Sequence, residues 1–173
     1  MGPWGRCGRW RLRDSMPSSF SVDLNFEVKG YPGSGRRTEA EVELATCDRI
    51  SLLQDAFMGD AKTRLGTTDF SEPFGSLTLL GWMLILADAG RALEAAEQHI
   101  ARFSESDDLI SFHKHGERLF VATSYRPGIA SIDVRSFAHQ VEKFIAQRLT
   151  WLADEYPSVS DNPIMCEVLA RLR

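Results

Sequence analysis

Three cysteines, Cys7, Cys47 and Cys166, are spread over 173 residues. No two form a C-x-x-C pair and the number is odd, so neither a disulfide framework nor a zinc ribbon is written here. The reading this leaves is a chain that works in a reducing cytoplasm. Long apolar runs are missing as well. The longest uncharged stretch, Pro73 to Ala87, is 15 residues, whereas a membrane-spanning helix needs about 20 predominantly apolar residues. A buried helix is expected there, and no membrane span.

Positive charge is in short supply. Lysine and arginine number 20 against 24 acidic residues, giving a net charge of −4 and a pI near 5.6. Phosphate backbones attract a basic face, so nucleic acid is not an expected partner.

Catalytic signatures are scarce too. A serine nucleophile elbow reads G-x-S-x-G; the nearest string, "YPGSG", has Pro32 in place of the first glycine. Nothing local activates Cys47 or Cys166 as a thiolate. His113 and His115 stand at i and i+2, the spacing at which a strand presents both to one metal, and they are weak candidates only. A metal site wants three or four ligands; His99 and His139 are distant, and a two-residue turn at His115-Gly116 takes His115 out of the strand. No cofactor is expected, and an enzyme is not the reading these residues favour. A small metal-dependent or cysteine/histidine hydrolase stands as an alternative.

What is present is an ordinary globular composition, 43% hydrophobic and 25% charged. Residues 1–15, "MGPWGRCGRWRLRDS", differ from the rest. They hold four arginines and one aspartate, so residues 16–173 carry −7. They read as a basic disordered tail, or as a start placed upstream of Met16. Residues 16–173 read as a single domain.

The stretch "KGYPGSGRRTE", residues 29–39, places Gly30 and Gly35 at phosphate-loop spacing. Arg36 and Arg37 then stand where a phosphate loop needs Lys and Ser/Thr. Residues 38–46, "TEAEVELAT", alternate with period two, the mark of a strand and not of the helix a phosphate would need. Residues 20–29 alternate too: Phe20, Val22, Leu24, Phe26 and Val28 on one face. The expectation is a hairpin of strands 20–29 and 38–46. Its outer face would carry Asp23, Glu27, Glu39, Glu41 and Glu43, with Arg36 and Arg37 in the loop at its end.

Further along, helical spacing predicts a helix over 48–65 that starts at the N-cap Asp48, with Gly59 as a weak point. It predicts one long helix over 77–103, with a strand at 77–85 as the alternative. A second hairpin is expected over 109–125, pairing Phe112 with Leu119 and Ile110 with Val121. A short strand at 128–134, a helix over 135–154 and a helix over 163–172 capped by Asn162-Pro163 complete the reading. The fold class is therefore α+β: an antiparallel sheet built from two hairpins, about 20–46 and 109–125, packed against three or four helices.

The function expected from these features is non-catalytic binding. An acidic sheet face meets a basic protein partner, and like charges crowded on the sheet are relieved on contact. An immunity-type protein that neutralises a basic toxin has this charge and size. A structural subunit that docks its apolar helix 77–87 onto a copy of itself, through Trp82 and Met83, is a further alternative.

Overall fold

The computed structural model describes residues 21–29, 44–71, 77–103 and 106–172. The fold is α+β. Among the described residues eight strands form two four-stranded antiparallel sheets. Three α-helices lie wholly within the described residues: α1 (Leu79–Ala95), α2 (Val134–Glu155) and α3 (Pro163–Leu172). A π-helical turn at Ser51–Asp55 and a 3-10 turn at Pro157–Asp161 are also present.

The first sheet contains β1 (Val22–Val28), β2 (Met58–Leu65), β3 (Thr68–Asp69) and β4 (Leu77–Thr78). β1 alternates as its sequence requires: Phe26 is buried, Val22, Leu24 and Val28 are half-buried, and Asp23, Asn25 and Glu27 are exposed. Its partner differs from the expected one. β1 pairs along its whole length with β2, from Val22 opposite Leu65 to Val28 opposite Gly59. Residues 44–46 are helical, and residues 38–43 lie outside the described residues. Six of the nine residues at 38–46 are Glu, Ala or Leu, which are strong helix formers, so the period of the string and its propensity point to different structures.

The expected helix over 48–65 is corrected accordingly. Asp48 does cap a helical turn, accepting from the Ser51 amide at 2.8 Å. That turn ends at Ala56, whose backbone is extended. Phe57 then takes a φ of +58°, a left-handed value that few bulky residues adopt. Packing holds it there: its side chain is fully buried between Tyr156, 5.1 Å away, and Trp151, 6.3 Å away. Beyond it β2 has a period of two, with Ala61, Thr63 and Leu65 inward and Lys62 and Arg64 outward. Gly59 is where β1 approaches closely. A Cβ there would stand 2.0 Å from the Glu27 carbonyl oxygen.

α1 is the central element its all-round apolar sequence predicts. Leu79, Leu80, Trp82, Met83, Leu86 and Ala89 are each no more than 2% exposed. Thr78 caps it, accepting from the Gly81 amide at 3.1 Å. The face with Trp82 and Met83 is consumed inside the chain, which leaves it no surface for docking a second copy. The helix also ends earlier than expected. Ala96 is extended, and β5 (Gln98–Arg102) comes next. There His99 is half-buried and Ala101 buried, while Ile100 points outward at 54% exposure. An outward isoleucine at helical spacing is what made the two elements look like one.

The second sheet is a meander of β5, β6 (Leu109–His115), β7 (Arg118–Thr123) and β8 (Ala130–Asp133). The expected hairpin is present with its inward face intact: Ile110, Phe112, Leu119 and Val121 are buried. Its register is displaced by two residues, which preserves the faces. Phe112 lies opposite Val121 and Ile110 opposite Thr123. The turn is Gly116-Glu117, with Gly116 at a φ of +59°.

α2 and α3 fall within two residues of their expected bounds. Asp133 caps α2 by accepting from the Ser136 amide at 2.8 Å, which holds its carboxyl below the usual carboxylate range. Buried residues of both sheets and of all three helices join in one apolar cluster, in which Trp82 stacks on Phe103 and Phe112 meets Phe137. Among the described residues no helix is long and apolar enough to cross a membrane.

Candidate functional site

The outer face of β1 and β2 is built by strict alternation. Asp23 lies opposite Arg64, Asn25 opposite Lys62 and Glu27 opposite Asp60. Directly opposed residues share a face, with Cβ atoms about 5 Å apart. Two carboxylates therefore sit side by side at one end of the face.

They differ in environment. Glu27 is exposed, whereas Asp60 is only 6% exposed. Asp60 Oδ2 is 2.5 Å from Lys29 Nζ and 3.4 Å from Lys62 Nζ. Asp60 Oδ1 is buried with no hydrogen-bond partner. The hydrogen bond from Lys29 holds the Asp60 carboxyl below its usual range, against the desolvation that would raise it. At the other end of the sheet, Asp69 is held low chiefly by hydrogen bonds from Ser71, with a smaller contribution from the charge of Arg64.

α2 borders this face. Arg148 donates to Asn25 Oδ1 and lies over the Phe144 ring, 5.7 Å from its centroid. Counted by charge alone, the described part of the face is balanced: Asp23, Glu27 and Asp60 stand against Lys29, Lys62 and Arg64, with Arg148 at the border. Counted by engagement, it is not. Lys29 and Lys62 are spent on Asp60, and Arg148 on Asn25, while Asp23, Glu27 and, opposite Asp23, Arg64 have no ion pair among the described residues, which leaves two open acids against one open base. Glu39, Glu41, Glu43, Arg36 and Arg37 lie outside the described residues.

Asp60, Lys62 and Arg64 were not legible as members of this face. The sequence signal that places them is the alternation of residues 61–65, which a helical reading of 48–65 conceals.

The histidines are arranged differently from expectation in one respect. With the turn at Gly116-Glu117, His115 is the last residue of β6 and not a turn residue. It shares an exposed face with His113. Their cross-strand neighbours are Gln98 and Phe120 for His113 and Arg118 for His115, none of them a carboxylate or thiol. Among the described residues no group of three or more His, Cys, Asp or Glu is placed to hold a metal ion. His99 packs against the Phe112 ring at 6.2 Å, and His139 is exposed on α2. Cys47 lies in a polar knot with Asn162, and Cys166 is exposed on α3.

Compared with known proteins, the chain matches no family model, no curated protein and no solved structure.

Proposed function

We propose that this is a non-catalytic binding protein that presents the outer face of β1 and β2 to a basic protein partner. The observation that carries the proposal is the pair Glu27 and Asp60, adjacent on one face, with the nearby lysines committed to Asp60 and Glu27 left open. A lysine or arginine delivered by a partner would pair with the open carboxylate of Glu27, and Asp23, opposite Arg64, offers a second carboxylate four residues back along the same strand. The immunity-type role, in which an acidic protein neutralises a basic toxin, belongs to this proposal. So does a cytoplasmic setting, in which Cys47 and Cys166 stay as thiols.

The test is affinity capture from a lysate of the source cells at low salt, followed by a salt step. Wild-type chain should retain one dominant basic protein that salt releases, and a chain carrying Asp23→Lys and Glu27→Lys should not. Equal capture by both would remove the sheet face from the proposal.

A further inference from the structure

A second surface lies between α1 and α2, where an open groove of about 520 Å³ is walled by the two helices, with Lys114 and Leu172 at its margin. That volume is within the range of ligand-binding clefts. Its floor is apolar: Leu93, Val141 and Ile145 are each at most 6% exposed. α2 lines it from Val134 to Leu149, a run of about 22 Å at 1.5 Å per residue.

Gly90 stands on the α1 wall in mid-helix, where glycine costs about 1 kcal/mol relative to alanine. A Cβ there would meet nothing within 4 Å, so no contact inside the chain requires a glycine. Its absent side chain widens the groove.

The charges at the groove select an occupant. Both bases are already engaged. Arg91 donates to Asp88 and to the Arg171 carbonyl. Lys114 Nζ donates to the Leu93 carbonyl at 2.8 Å, near the negative end of the α1 dipole. Both acids are open: Glu94 and Glu142 are exposed and have no ion pair among the described residues. An anionic amphiphile would bring its head against these glutamates. A second copy would set concave surface against concave surface and glutamates against glutamates.

We infer that the groove receives an amphipathic helix of a partner protein, with an apolar stripe on the floor and Lys or Arg at its flanks reaching Glu94 and Glu142. A helix of about fifteen residues matches the length of the α2 wall. This surface is separate from the face of β1 and β2, so either can fail without the other.

The experiment uses the full chain and a fluorescent peptide of about fifteen residues with an idealised Leu/Lys amphipathic pattern, beside a Leu/Glu peptide of the same apolar spacing. Anisotropy should show saturable binding of the Leu/Lys peptide and none of the Leu/Glu peptide. Gly90→Phe, which fills the groove, and the pair Glu94→Lys with Glu142→Lys should each weaken binding by about tenfold or more. Circular dichroism melts identify any variant that fails to fold, and the two exposed glutamates supply a test that leaves the core untouched. Glu27→Lys should leave peptide affinity unchanged, which separates this site from the sheet face. Absence of saturable binding by the Leu/Lys peptide, equal binding of the Leu/Glu peptide, or an affinity indifferent to the groove substitutions in folded protein would overturn the inference.

Discussion

The side-chain amide of Asn162 donates to the Leu44 carbonyl at 2.8 Å, joining residues 118 apart in sequence. The same nitrogen reaches the Cys47 carbonyl at 3.1 Å, and the Asn162 oxygen accepts from the Ile164 amide at 2.9 Å. One buried side chain thus ties the end of a helical turn to the start of α3, and it is 0% exposed. Asparagine suits the task because it offers donors and an acceptor together.

Asn162→Ala should therefore cost more than a lost helix cap. It removes a cap and the amide that donates to two carbonyls, about 2–4 kcal/mol together. Asn162→Asp should be worse at neutral pH, since a carboxylate would face two carbonyl oxygens. That carboxyl would have its pKa raised in the folded state, so the folded chain would bind the proton more tightly. The Asp variant should then regain stability as pH falls through the raised pKa. Urea melts of both variants at two pH values check this.

Gly59→Ala should prise β1 from β2. The added carbon would meet the Glu27 carbonyl at 2.0 Å and Phe26 Cε1 at 2.7 Å, and backbone cannot step aside as a flexible side chain does. The expected cost is at the upper end of overpacking penalties, about 3 kcal/mol. A thermal melt should fall by roughly 6–12 °C for a chain of this size. A change near zero would mean that β1 does not pair with β2 in this register.

Asp60 should make stability depend on acid pH. Its folded pKa is depressed, chiefly by the Lys29 hydrogen bond. The stabilisation is then present above the pKa of an unfolded aspartate, and it is lost as pH falls through the lower folded value. Asp60→Asn should flatten the acid limb of the stability profile. Lys29→Met should do likewise by removing the main cause of the shift. Denaturant midpoints measured from pH 7 down to pH 3 read this out.

The parts of the fold that were legible are those where period and propensity agree. β1, the β6–β7 hairpin, α2 and α3 each have one face that only one kind of element can bury. Disagreement arose where they part. Leu53, Phe57 and Ala61 keep helical spacing, yet the chain turns at Phe57 and runs on as β2. α1 passes into β5 across Ala95 and Ala96 with no glycine or proline to mark the break. The candidate face was half legible for the same reason. Alternation alone turns Asp23 and Glu27 outward, but their neighbours depend on which strand lies beside β1, and that is decided by packing between residues more than thirty positions apart. The groove has one local sign, a glycine inside a helix, and it reads equally well as a core position.

The open carboxylates Asp23 and Glu27 are what would draw a basic partner to this face. The most direct measurement is calorimetric titration of the captured partner into wild-type chain and into the Asp23→Lys, Glu27→Lys variant, at low and at physiological salt. Wild-type affinity should fall as salt rises, because exposed charges are screened, and the variant should bind at least about tenfold more weakly at low salt. Equal affinity for the two chains, or binding indifferent to salt, would contradict that role for Asp23 and Glu27.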